Sequence, residues 1–325
     1  MRAVQLTAYG NPIEGLKYVN LPEPDAPGPN QVLIEVEFSP LNQSDLLLAR
    51  GIYGSRPALP TVIGNEGVGR VLKVGAGVKN VKVGDRVLPP LSSFTWQERM
   101  ILPANGLFAM PSDADPQQLS MLAINPPTAA LLLSEYVNLK PLEWVVQNSA
   151  NSGVGRWVIA FAKARGLKTV NIVRRPELVA ELKAIGADVV VDSPNVSKEI
   201  KAAVGKDELR LALDGVSGPA SGVIASTLSS HGTLVSYAAM SAGPMSISPL
   251  DVIFKPLTVR GFWLGHPESA AKSAPAIAQA AEMIASGRVH IPVAATYPIS
   301  SIKEAVEHAQ RGGKILLEVA GSSTR

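Results

Sequence analysis

From residue 144 onward the chain alternates β-branched runs with stretches of helical periodicity, and no other feature constrains its fold as much. WVVQN (144–148), TVNIVRR (169–175), ADVVVD (187–192), LRLALDGV (209–216) and GTLVSYAAM (232–240) read as five strands. GRWVIAFAKARG, after the first, and PELVAELKAIG (176–186), after the second, set apolar residues at helical spacing. Strands joined by helices of roughly 10–15 residues predict a parallel sheet covered on both faces. A doubly wound α/β domain is expected over 119–260.

The flanking segments have another texture. Before residue 119, short runs (AVQLTAY, VLIEVEFSP, GVGRVLKVG, DRVLPP) stand between Gly and Pro, with LPEPDAPGPN (21–30) as a Pro-rich loop. That pattern predicts an irregular, mostly β domain over 1–118. The tail, 261–325, carries a helix over 269–287, a second over 302–313 and a closing strand, KILLEV (314–319). The α/β domain therefore reads as an insert within a second, catalytic domain. No cysteine occurs, which excludes disulfides, thiolate zinc sites and a cysteine nucleophile. A formal net charge of +3, with no run of like charges, argues against a nucleic-acid partner. The N-terminus reads as a strand rather than a leader, and no apolar stretch is long enough to span a membrane. A soluble cytoplasmic protein without membrane or nucleic-acid partners is expected.

The turn after the first strand of the insert has the context of a dinucleotide loop, though not its usual letters. Asn148 ends the strand, and Asn151, Ser152, Gly153, Val154 and Gly155 lead into the helix. Gly153 and Gly155 let the backbone approach a pyrophosphate, and unpaired N–H groups at the helix start point at it. The other reading is a turn with glycine caps; the βα units that follow favour the nucleotide. At the end of the second strand an NAD enzyme places Asp or Glu against the ribose hydroxyl, but Arg174 and Arg175 stand there. Guanidinium groups match a 2′-phosphate, so NADPH is expected over NADH.

GNEGVGR (64–70) crowds three glycines around Glu66 and admits three readings: phosphate loop, metal site or turn. Its neighbours narrow these. GNEGVGRVLKVG, VKVGDRV (81–87), the central insert and GGKILLEV together resemble the medium-chain dehydrogenase/reductase superfamily. The resemblance implies a GroES-like catalytic domain with an inserted Rossmann domain. Zinc alcohol dehydrogenases of that superfamily carry Cys and His where this chain has Asn42 and Asn65. Neither is a good zinc ligand, and the histidines (231, 266, 290 and 308) are dispersed, so no metal is expected and Glu66 reads as a structural carboxylate.

Among zinc-free branches the chain resembles the mitochondrial-type trans-2-enoyl thioester reductases. The matching stretches are NQSD (42–45), GIYGSRPALP, LAINPPTAALLL (122–133), QNSANSGVG (147–155), NIVRR and GFWLGH (261–266). The resemblance implies reduction of the C2=C3 bond of a 2-enoyl thioester of CoA or acyl-carrier protein, in fatty acid metabolism. Tyr53 falls where the family carries its proton donor; tyrosine is protonated at neutral pH and can deliver to C2. Asn42 either bonds the nicotinamide ribose, orders the tyrosine loop or forms a structural turn. Phe262 and Trp263 match a cleft wall beside the nicotinamide, Lys314 a position near the phosphates, and Asp214 and Tyr237 strand ends near the cofactor. Arg50 and Arg56 are candidates for a basic patch receiving a diphosphate or carrier protein. A homodimer through the sheet edge is expected. The alternatives are a quinone, enone or alkenal reductase, and a crystallin-like protein that binds NADPH without turnover.

Overall fold

The computed structural model describes residues 1–193 and 195–321. By contact the chain divides into two compact units, Met1–Ile124 with Ala274–Arg325, and Asn125–Ser273. These bounds differ from the expected segmentation at 119–124 and 261–273. The Gln118 side chain pairs both ways with the Ile291 backbone, which draws the chain beyond 118 into the first unit. Phe262 N–H donates to the Ser236 carbonyl, and Lys272 pairs with Glu135, which holds 261–273 in the second.

The strands in chain order are β1 (Arg2–Leu6), β2 (Leu16–Asn20), β3 (Gln31–Leu41), β4 (Thr61–Val62), β5 (Val68–Val74), β6 (Arg86–Leu88), β7 (Arg99–Pro103) and β8 (Phe108–Ala109). They continue as β9 (Trp144–Gln147), β10 (Lys168–Ile172), β11 (Val189–Val191), β12 (Leu209–Asp214), β13 (Thr233–Ser236), β14 (Thr258–Gly261), β15 (Ala295–Pro298) and β16 (Ile315–Glu318).

The first unit is mostly β. β1 pairs antiparallel with β2 and β4 in a small sheet. The long β3 organises a larger one, ordered β15-β16-β3-β5-β6-β8, with β7 also on β3. Val4, Ile34, Val36, Val87, Trp96 and Leu317 fill its core. The glycines of GNEGVGR serve close packing here. Gly64 has φ +107°, and a Cβ there would lie 2.4 Å from the Trp96 ring; one at Gly69 would lie 2.3 Å from the Glu35 carbonyl oxygen of β3. The phosphate-loop reading of this segment is thereby replaced by a tight strand entry.

The second unit holds a six-stranded sheet ordered β11-β10-β9-β12-β13-β14, every pairing parallel. β9 is wholly buried and β12 nearly so, as strands covered on both faces must be. The order reverses beside β9: β10 lies to one side, β12 to the other. The sixth strand, β14, escaped the sequence because TVRG is short and exposed throughout, so no apolar run marks it. The helix expected over 269–287 is broken into Pro267–Ala271 and Ala274–Ala285. Pro275 inside one continuous helix would lose a backbone bond and clash with the preceding turn; in the first turn of a new helix it costs nothing. Among the described residues no helix is long and apolar enough to cross a membrane.

Candidate active site

In the second unit, the expected nucleotide residues gather at the carboxyl ends of the parallel strands, around the point where strand order reverses. Open α/β sheets bind ligands in that place. Ser152 caps the helix Gly153–Ala164, its hydroxyl accepting from Gly155 N–H at 3.1 Å. A Cβ at Gly153 would lie 2.7 Å from the Asn125 amide, and one at Gly155 would lie 2.5 Å from the Ala150 carbonyl. The loop is therefore held tight by its glycines, and the N–H groups of Gly153 and Val154, at the start of a 12-residue helix, are those left to an anion. Asn151 and Val154 lie half-buried in the same turn. Arg156, which the sequence reading passed over, is buried beneath the loop, bonding the Asn151 carbonyl at 3.2 Å and the Glu181 carboxylate at 2.6 Å. Only its place in the helix, one turn below the loop, could have signalled this.

Asn148 and Asp214 hold strand ends rather than face outward. Asn148 Nδ2 donates to Asp214 Oδ1 at 2.7 Å, and Asn148 Oδ1 accepts Gly215 N–H at 2.7 Å. Asp214 also accepts the N–H groups of Val216 and Ser217 at 3.0 Å and the Ser221 hydroxyl. Both side chains are buried and engaged, so they brace β9 against β12 instead of presenting polar atoms to a cofactor. Tyr237 follows β13, and among the described residues its buried hydroxyl has no hydrogen-bond partner of good geometry, although Ser152 lies beside it. Burial drives the Tyr237 phenol above its ordinary range, so it remains a donor. An orphaned donor next to the phosphate loop fits a ligand oxygen.

Arg174 and Arg175 extend just past β10, both exposed. Arg175 Nε lies 3.7 Å from Glu177, a solvent-exposed pairing of small worth. Phe262 and Trp263 leave the end of β14, half-buried; the Trp263 indole stands edge-on to His266 at 5.0 Å and occupies the space a Cβ on Gly265 would need. The loop glycines, exposed cations and orphaned donor fit NADPH.

In the first unit, Tyr53 lies three residues past the helix Gln43–Arg50, its ring packed against the core. Tyr9, far away in sequence and unrecognised there, staples this segment. Gly51 packs on its ring, the Arg56 guanidinium stands 4.6 Å above it, and its hydroxyl donates to the Pro57 carbonyl. Arg56 is thus engaged with Tyr9, and Arg50 closes the helix in solvent.

Asn42 precedes that helix, but its amide is not spent on capping. The cap comes from Asp45, whose Oδ2 accepts Asn42 N–H at 2.8 Å. Asn42 Nδ2 donates to Glu66 Oε1 at 2.8 Å, and Lys314 Nζ donates to Asn42 Oδ1 at 2.7 Å. Lys314, expected near the phosphates, is bonded to Asn42 in this buried cluster of the first unit. Burial pushes Asp45 up to about 7 and Glu66 upward, and lowers the Lys314 ammonium.

Two family models match the chain: an alcohol dehydrogenase GroES-like domain over residues 28–112 and a zinc-binding dehydrogenase over 153–284. The enoyl-[acyl-carrier-protein] reductase, mitochondrial, of Caenorhabditis elegans is 38% identical over 270 residues, covering 82% of this chain and 78% of its own. The rat enzyme of the same name is 34% identical over 321 residues, covering 96% and 86%. Among solved structures, the mitochondrial 2-enoyl thioester reductase Etr1p/Etr2p heterodimer from Candida tropicalis superposes with TM-score 0.88 at 27% identity, over 98% of this chain and 99% of that one. A structure of Etr1p with NADP and crotonyl-CoA matches equally well. The expectation of a cytoplasmic protein is corrected by these relatives, whose mitochondrial names point to that compartment instead.

The name of the second family model raises zinc, and the donor set does not fit it. Asn42 Oδ1 already accepts an ammonium, and Asn65 Nδ2 donates to Asp45 Oδ1 at 2.8 Å. Among the described residues no group of three or more His, Cys, Asp or Glu could hold a metal. A cation fixed against Asn42 would repel a second one.

Proposed function

Because the chain belongs to the family of mitochondrial enoyl-[acyl-carrier-protein] reductases, within the medium-chain dehydrogenase/reductase superfamily, we propose that it reduces the C2=C3 bond of 2-enoyl thioesters with NADPH. The observation that carries this reading is the buried cluster at Asn42. Where a zinc dehydrogenase would polarise its substrate with a metal, this chain has an ammonium, an amide and two carboxylates, so proton supply falls to another group.

The reaction adds hydride at C3 and a proton at C2. NADPH, when bound, supplies the hydride. The start of the helix Gly153–Ala164 receives the pyrophosphate, Arg174 and Arg175 the 2′-phosphate, and Tyr237 donates a further hydrogen bond. Asn148 and Asp214 keep the strand ends in register beneath it. Tyr53 delivers its phenolic proton to C2, and Asn42 anchors the segment that carries Tyr53. Met1–Ile124 with Ala274–Arg325 serves as the catalytic part and Asn125–Ser273 as the nucleotide-binding part.

The test is NADPH oxidation with crotonyl-CoA against a small quinone at equal concentration. Faster turnover of the thioester is expected. Turnover of the quinone alone would replace this reading with the quinone-reductase alternative, and NADPH binding without any turnover would replace it with the crystallin-like one.

The chain works as a homodimer in this proposal, joined along the free edge of β14. Leu250, Ile253 and Phe254 beside that edge are 62, 64 and 74% exposed, a concentration of apolar surface unusual for a monomer. Burying one Phe is worth about 1.5–3 kcal/mol, and a twofold interface buries two. Phe254→Glu is therefore expected to weaken the dimer at least about 100-fold, read as a monomer by light scattering at micromolar protein. A monomeric parent protein at that concentration would sink the dimer.

A further inference from the structure

The amide of Asn42 is fixed from both sides. Its Oδ1 accepts from the Lys314 ammonium and its Nδ2 donates to the Glu66 carboxylate. Turning the amide over would set N–H groups against an ammonium and a carbonyl oxygen against a carboxylate. Asp45 is equally committed: Oδ2 accepts Asn42 N–H, and Oδ1 accepts both Asn65 N–H at 3.1 Å and Asn65 Nδ2–H at 2.8 Å. Glu66 Oε2 accepts Ile124 N–H at 3.0 Å. Both carboxylates are almost wholly inaccessible, at 1 and 0% exposure, and these neighbours all donate to them. Such a setting suits two ionised carboxylates, yet they share one ammonium, which leaves one buried negative charge unbalanced.

We propose that Lys314 is a positioning residue acting through Asn42, and that the charge balance of Lys314, Asp45 and Glu66 sets the pH range in which the start of the helix leading to Tyr53 is held. The part concerning turnover rests on the 2-enoyl thioester reading; the part concerning stability does not. The charged groups acting on Asp45 are Glu66, from the segment before β5, which raises it, and Lys314, from the start of β16, which lowers it. Lys314 acts on Glu66, and both carboxylates act on Lys314. When Asp45 takes a proton it gives up acceptor capacity toward Asn42 and Asn65, and the helix start loosens. Activity should therefore rise with pH through about 7, where Asp45 ionises in the folded chain. Stability should run the other way. A carboxyl held above its unfolded value, near 4, contributes stability that is full below about pH 4 and is lost as pH climbs to about 7.

The experiment compares the parent protein with Glu66→Gln, Lys314→Met and Lys314→Arg, following kcat/KM for crotonyl-CoA and the thermal midpoint across pH 4–9. Glu66→Gln removes a like charge and should lower both pH midpoints by about one unit. Lys314→Met removes the counter-charge and should raise them by about one unit or more. Lys314→Arg should leave them near the parent values. Midpoints that stay fixed, or that move in the same direction in the first two variants, overturn the proposal. If Lys314→Met does not fold, Glu66→Gln against the parent decides alone. A parent without thioester turnover removes the functional reading, while the thermal series still tests the charge balance.

Discussion

Tyr53→Phe is expected to lower turnover of a 2-enoyl thioester by about 10²- to 10⁴-fold, the usual span for removing a general acid, with NADPH affinity unchanged. The substitution isolates the proton because it keeps the ring. That ring packs against the core of the first unit, beside the segment stapled by Tyr9, and phenylalanine fills the same volume. Losing the hydroxyl costs about 0.5–1.5 kcal/mol of stability at most, a few degrees in thermal midpoint for a chain of this size. A large loss in kcat with an intact midpoint and an unchanged NADPH Kd therefore assigns the effect to chemistry. Turnover within a few-fold of the parent would remove Tyr53 from the mechanism and leave water or another donor to supply the proton.

The dependence of Tyr53 on its surroundings also explains which parts of the site could be read from the sequence. The nucleotide end was legible because a parallel sheet announces itself locally. Buried strands appear as apolar runs, and Ser152, Gly153, Arg174 and Tyr237 lie just past the carboxyl ends of such strands, a placement that counting along the chain already gives. Asn148 and Asp214 stand at strand ends by the same rule, and the structure bonds them to each other. A strand end can face a ligand or brace its neighbour, and only the hydrogen bond between them across β9 and β12 separates the two. The segments of Tyr53 and Asn42 depend on long-range contacts. Tyr9 meets Pro57, and Lys314 meets Asn42 from 272 positions away. No periodicity links such pairs, and a lysine at the start of a strand is ordinarily a solvated one. The break near Pro275 is legible in principle, since proline inside a helical pattern ends it.

The second large effect concerns cofactor choice. Replacing Arg174 and Arg175 together by alanine is expected to raise the KM for NADPH by about 100-fold and to leave that for NADH within a few-fold. Each guanidinium bond to a phosphate is worth about 1.5–3 kcal/mol when formed, and exposure at this strand end reduces that figure. Two such contacts at the lower end of the range give about 3 kcal/mol, a little over two decades. NADH carries a hydroxyl where NADPH carries the phosphate and makes no comparable bond, so its KM serves as an internal control for damage to the loop. The single variants separate the two arginines. Arg174 has no hydrogen-bond or ion-pair partner among the described residues, whereas Arg175 lies near Glu177, which partly neutralises it. Arg174→Ala should therefore carry the larger share. An NADPH KM that rises equally with the NADH KM would place both arginines outside the 2′-phosphate site, and an unchanged ratio in the double variant would return β10's end to an ordinary solvated strand terminus.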